Sequence, residues 1–237
     1  MVHKFEAYSR RRDDKTEAIL TAAMALHARD GLEALTLQRL AKELGLVTTA
    51  LYRYFDSKDA LLAALQQRAI TTIHAQYRQE LLRWEAACKR LSDDRKSLAM
   101  IVASARFYTE LPTEMPETYQ MMAILLSDPK PLVRDDDAAQ SIPLVAALVS
   151  EASALFDLAE KSKAITSGGL LRRTVLFWAC LQGIMQLSKL RRLVPQAPTI
   201  RALADEASTT LLRGMGATEV DLRRAVRTAD RMQKSST

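Results

Sequence analysis

Residues 36–58, TLQRLAKELGLVTTALYRYFDSK, constrain the fold more than any other part of the chain. Leu37, Leu40, Ala41 and Leu44 recur at helical spacing, and Leu51, Tyr52 and Phe55 do so again after Gly45. Two helices this short, joined by so tight a link, cannot lie antiparallel; they must cross steeply, as a helix-turn-helix unit does. Ala41 lets the second helix approach the first. Gly45 supplies a positive φ where the first helix ends. Leu46 and Leu51 are expected to fill the wedge between the two.

The run Ala41-x3-Gly45-Leu46-x4-Leu51-Tyr52-x-Tyr54-Phe55-x-Ser57-Lys58 resembles the DNA-binding region of the TetR family of transcriptional regulators. It departs from the family pattern at three positions. Val47 stands where Ser is usual, Thr49 where Gly or Pro is frequent, and Tyr54 where His is frequent. Val47 cannot cap the recognition helix, so Thr48 is expected to do so. The other two departures bear on which bases are read.

Length and composition fit this reading without demanding it. A chain of 237 residues can bury a sizeable core as one domain or two. Gly and Pro total fourteen, and none falls between Leu46 and Leu111, which favours helix over strand. No stretch approaches the ~18 uncharged apolar residues of a membrane span, and no signal peptide is evident. Cys88 and Cys180 have no metal-type spacing and read as reduced, small apolar residues of a cytoplasmic chain; a disulfide is not excluded. The net charge of +6 favours anionic partners only weakly, because residues 1–60 hold ten Lys/Arg against nine Asp/Glu.

The expected architecture is all-α. An N-terminal three-helix helix-turn-helix domain over 13–73 is joined by a long helix 4 to a larger helical body over 74–237, which would bind an effector and dimerise. Residues 1–12, ending in Arg10-Arg11-Arg12, read either as a solvated tail or as an arm along DNA. Asp14 and Glu17 resemble a capping box, from which helix 1 would run to about Arg29 and stop at Gly31. Thr36 and Ser57 are read as caps of helices 2 and 4. Ile70, Ile73, Tyr77, Leu81, Trp84, Cys88 and Leu91 form one apolar stripe, suiting a lever between head and body. Ser92-Asp93-Asp94 caps a fifth helix, Pro112 and Pro116 bracket the start of a sixth, and 128–137 reads as a polar loop. A seventh helix would start near Ser141-Ile142-Pro143. An eighth, Leu170 to about Leu190, is apolar on most sides, so one side is expected to face another subunit. A ninth carries Ile200, Leu203, Ala204, Ala207 and Leu211, and a homodimer through helices 8 and 9 is expected. Thr218 and Asp221 open a last helix bearing Arg223, Arg224, Arg227 and Arg231, which read as a solvated face.

In the head, the N-terminus of the recognition helix would enter the major groove. Thr48 and Thr49 can bond base edges or touch a thymine methyl, Ala50 offers only apolar contact, Arg53 and Tyr54 can read a base or hold a phosphate depending on tilt, and Gln38 is a second candidate reader. Thr36, Tyr52 and Lys58 are candidate phosphate holders, with Lys58 in the first turn of helix 4. Nothing points to an enzyme: His3, His27 and His74 stand apart, no metal pair or Gly-rich phosphate loop is present, and no cofactor is expected. Asp135-Asp136-Asp137 reads as a solvated loop. The resemblance implies a ligand cavity in the body. Candidate lining residues are Trp84, Arg106, Tyr108, Tyr119, Met122, Phe156, Phe177, Trp178 and Gln182, with Arg106 suited to a carboxylate or phenolate on a small apolar or aromatic effector. Trp178-Ala179-x2-Gln182-Gly183 also resembles a Trp-x3-His-Gly pattern in some family bodies, with Gln replacing His. The function expected is a sequence-specific regulator, most often a repressor, on a palindromic operator in double-stranded DNA, with no membrane partner. The alternative is a DNA-binding regulator without small-molecule effector, controlled by a protein partner.

Overall fold

A computed structural model describes residues 2–127, 141–187 and 193–234. Among these the elements are helices alone: α1 (Val2–Asp30), α2 (Leu37–Glu43), α3 (Thr48–Leu51), α4 (Lys58–Ala87), α5 (Asp93–Glu114), α6 (Pro116–Ser127), α7 (Ile142–Lys161), α8 (Leu170–Gln186), α9 (Ile200–Gly214) and α10 (Glu219–Lys234). The chain forms two compact units. One contains residues 1–73 and 115–144, the other 74–114 and 145–237. The body is therefore not one continuous stretch, because α6 groups with the N-terminal unit.

The core of the N-terminal unit gathers Ile19, Ala23 and Leu26 of α1, Leu37, Leu40 and Ala41 of α2, Leu51 of α3, and Leu61 and Leu65 of α4. Met121 of α6 is fully enclosed in the same cluster. The expected tail at residues 1–12 is instead the opening of α1. No Gly or Pro precedes Gly31, so nothing stops the helix from running back through Asp14 to Val2. The Asp14–Glu17 pair is therefore helix interior and not a terminus.

In the C-terminal unit α5 is the central helix, and every residue from Ser97 to Ala103 is buried. It packs against α8, α9 and α10. Tyr77 and Trp84 of α4 meet edge to face at 6.1 Å, and Phe156 of α7 meets Phe177 of α8 in the same way at 5.5 Å. The Tyr77 hydroxyl is paired with Ser104 Oγ at 2.9 Å, and burial pushes its pKa up to about 12. Cys88 and Cys180 are both free thiols; Cys88 is buried, which raises its pKa. Pro112 does not end α5, which continues to Glu114. The expected polar loop over 128–137 lies outside the described residues, as does the predicted end of helix 8 at Leu190.

Two loops in this unit are held by polar contacts. Arg173 bonds Glu160 Oε1 at 2.6 Å and also donates to the Thr166 carbonyl, while Thr166 N and Oγ1 both donate to the Met215 carbonyl at 2.8 Å. α7 closes on Lys163 at φ 61, where Lys163 N bonds Glu160 O and Ala164 N bonds Ala159 O. Helix α7 has the length and apolar composition of a membrane span, which was not expected. Its Glu151 nevertheless engages His74 at 3.1 Å and Arg78 at 3.3 Å, and its Leu155, Phe156 and Ala159 are core.

Arg106 is the largest fully buried side chain described. Its guanidinium grips Asp205 of α9 with two bonds, at 2.7 and 2.9 Å, and Asp230 of α10 at 2.9 Å. Arg201 adds Glu110 at 2.7 Å, and Gln233 Nε2 donates to both Glu110 oxygens at 3.0 Å. The network ties α5, α9 and α10 together at one level.

Candidate nucleic-acid interface

The geometry of the turn between α2 and α3 follows from its backbone bonds. Gly45, at φ 65, donates to Lys42 O at 3.2 Å, and Leu46 donates to Ala41 O at 2.9 Å. This is the paired closure that a left-handed residue permits at a helix end. It turns the chain sharply so that α3 packs on α2, with Leu51 completely buried and Ala41 1% exposed at the contact. Leu46 does not fill the wedge; it is 44% exposed. The closure that uses its N–H carries its side chain outward.

Thr36 caps α2 by accepting from Arg39 N at 3.2 Å, which leaves its O–H available to donate. The cap position of α3 is Val47, with no side-chain bond, and Thr48 is the first helical residue. The expected Thr48 cap is thus not formed. Thr48 stands one position too late, and its hydroxyl remains available for a ligand. Ser57 caps α4, accepting from Ala60 N at 3.0 Å. Lys58 donates to the Leu32 carbonyl at 3.3 Å, which fixes the ammonium beside the α1–α2 loop while leaving other N–H groups available.

Thr36, Gln38, Thr49, Tyr52 and Arg53 are exposed; Thr48, Ala50 and Lys58 are half-buried. Tyr54 packs against the head core, which limits its freedom to reach a base. Val47 was not among the predicted contacts, yet it is 70% exposed immediately before Thr48. Its departure from the family's usual Ser was the signal that singled it out. Behind this face, Arg29 pairs with Asp30 and Glu43, and Arg39 pairs with Asp30. The adjoining guanidinium of Arg29 holds the Asp30 carboxyl below the usual range. These two arginines are therefore matched internally, and Lys42 and Arg53 supply positive charge at the surface. His27, buried at the end of α1, has its pKa lowered by burial.

Residues 19–65 match the model of the bacterial regulatory proteins of the tetR family. These residues carry a DNA-binding domain of the TetR type. The chain is similar in its head to the nucleoid occlusion factor SlmA of Haemophilus influenzae, with 38% identity over 72 residues, covering 28% of this chain and 33% of SlmA. It is also similar to the transcriptional regulator RutR of Escherichia coli K12, with 29% identity over 141 residues, 60% of this chain and 59% of RutR. The chain thus spans a third to three-fifths of the length of these relatives. A TetR transcription regulator from Haloarcula marismortui superposes with TM-score 0.63 at 18% identity, over 86% of this chain and 98% of that one, which shows a shared TetR fold.

The nine candidate ligand residues do not all fall in one unit. Tyr119 and Met122 lie on α6 in the N-terminal unit, and the other seven lie in the C-terminal unit. Trp84, Phe156 and Phe177 are core side chains. Arg106 is matched by Asp205 and Asp230 of its own chain, so its charge is not held open for an anionic ligand. The sequence could not reveal this, because both partners lie about a hundred residues away. Gln182 accepts a 2.6 Å bond from the Tyr108 hydroxyl, while its buried Nε2 has no partner among the described residues.

Proposed function

We propose that this chain is a homodimeric repressor of the TetR family that binds a palindromic operator and leaves it when a small apolar or aromatic molecule enters the C-terminal unit. The exposed face around α3 carries the DNA reading. Short polar and aromatic side chains, Thr48, Thr49, Tyr52 and Arg53, crown a short helix whose own core residue, Leu51, is fully buried. Thr48, Thr49, Ala50 and Val47 read bases, whereas Thr36, Tyr52 and Lys58 hold phosphates and set register. In a band-shift assay, Lys58→Ala and Tyr52→Phe should weaken binding to operator and random DNA alike, while Thr49→Ala should alter sequence preference. Equal loss on all sequences for Thr49→Ala would remove it as a reader.

The dimer reading rests on α8. Leu171, Val175, Leu176 and Leu187 are exposed on the side where Ala179 and Gly183 also face out. The four-residue spacing of Leu171, Val175, Ala179, Gly183 and Leu187 makes one ridge, with small residues that allow close helix approach. Leu203 of α9 packs against the unit's own core, so Val175 is the sharper probe of the interface.

The ligand reading rests on Gln182. A buried amide N–H without an acceptor is costly, and a ligand oxygen beside Tyr108 and Trp178 would satisfy it. Thermal-shift screening with apolar phenols and ketones tests this. Stabilisation by a hit that is lost in Gln182→Leu supports it, and a library without any hit favours control by a protein partner.

A further inference from the structure

The five residues that lead from the turn into α3, Leu46, Val47, Thr48, Thr49 and Ala50, share one chemical feature. Each presents a methyl group, and none carries a charge or an amide. The side chains that read bases by paired hydrogen bonds are of other types: Arg or Lys on guanine, Asn or Gln on adenine, Asp or Glu on cytosine. None of these occurs from Leu44 to Tyr52. Val47 is nevertheless 70% exposed and Leu46 44%. The backbone holds both outward. Leu46 N closes the turn on Ala41 O at 2.9 Å, and Val47, at φ −75 and ψ 143, is the cap residue of α3 without a side-chain bond. Leu51 is fully buried, and Thr49 lies on the opposite side of α3 from it. An exposed valine beside a reading helix gains free energy on binding only by meeting apolar surface. The major groove offers one such group, the C5-methyl of thymine.

We propose that this segment reads the operator chiefly through thymine methyl groups, with Val47 as the leading contact. The proposal rests on the helix-turn-helix reading given above and names the base class it selects. Thymine shows the groove an acceptor, O4, beside a methyl. Threonine shows a hydroxyl donor beside a methyl, so Thr48 and Thr49 complement both features of the same base. Val47 supplies methyls alone, where serine would have supplied a hydroxyl alone. The half-sites under α3 are therefore T·A pairs distinguished from C·G by burial of the methyl.

The test uses the full chain and a random-sequence duplex library, from which binding sites are selected and one selected site is resynthesised. Replacing a single thymine with uracil removes only the methyl. At a contacted position the affinity, read by fluorescence anisotropy, should fall about fourfold, the effect of one buried methyl-sized group. 5-Methylcytosine at that position should bind more tightly than cytosine. Val47→Ser changes an exposed side chain and leaves the core untouched; it should abolish the uracil penalty at one thymine and keep the others. Thr49→Ser retains the hydroxyl, loses the methyl, and should abolish the penalty at a different thymine. Uracil throughout both half-sites without loss of affinity overturns the proposal, as does a uracil penalty unchanged by either variant. Both results leave the helix-turn-helix reading in place if Lys58→Ala still weakens binding. Equal affinity for every duplex, with no sequence recovered from the library, overturns that reading and the proposal together.

Discussion

Replacing Arg106 with Met should destabilise the C-terminal unit while leaving its packing nearly intact. Met is close in length to the arginine stem, so the apolar contacts largely survive and the loss falls on the guanidinium. That group is 1% exposed, donates two charge-assisted hydrogen bonds to Asp205 and forms an ion pair with Asp230. Breaking a fully buried pair costs about 3–5 kcal/mol, chiefly because the partner is left as an uncompensated charge. Here Asp205 and Asp230 are 25% and 48% exposed and can regain water, and Arg201 remains 3.5–3.6 Å from both. The expected loss is therefore about 2–3 kcal/mol, or a fall in Tm of about 5–10 °C at fixed protein concentration. Differential scanning calorimetry or urea unfolding with unchanged m reads it directly. The double variant Arg106→Met, Asp205→Leu should be more stable than the sum of the two single losses, because it removes both members of the pair. A melting point within a degree of the parent, or strict additivity in the double variant, would refute the account of a working buried pair.

Gly45→Ala meets no atom within 4 Å, so its cost is the backbone strain of φ 65 alone, about 1–2 kcal/mol, measurable as a lower Tm and weaker operator binding. Lys163→Gly should do the opposite at φ 61, raising stability by about 0.5–1 kcal/mol in the same scan. Burial holds the His27 pKa below 6.5, so its neutral form is favoured in the fold. Its contribution is fully present above pH 6.5 and is lost as pH falls through the folded pKa; amide exchange in the head should accelerate over that range, and His27→Met should flatten the effect. Val175→Glu, at a position 43% exposed on α8, should convert the dimer to monomer in light scattering, and an intact dimer would remove α8 from the interface.

The head was legible because its determinants are local. Gly45, Leu51, Thr36 and Ser57 act on residues within a turn or two of themselves, and spacing alone exposes them. The start of α1 was misplaced for the converse reason: a polar segment without Gly or Pro carries no signal that separates a tail from a solvated helix. The α3 cap was misassigned because a turn can leave a valine at the cap position when the Gly45 closure already fixes the chain. In the C-terminal unit the decisive partners are remote. Arg106 meets Asp205 99 residues later, and Tyr108 meets Gln182 after 74. Periodicity identifies a buried face but cannot say which charge waits on the other side.

Met121 has a consequence for building new regulators from this chain. Because it is fully enclosed among Leu20, Leu26 and the other residues of the head cluster, the reading head is assembled from two separated pieces of sequence. A chimaera cut at residue 73 would transplant α1 to α3 without α6 and open a hole in the donor core. A graft that also carries residues 115–144 keeps that core closed. In this chain, recombination between heads and bodies is constrained to exchange two segments at once.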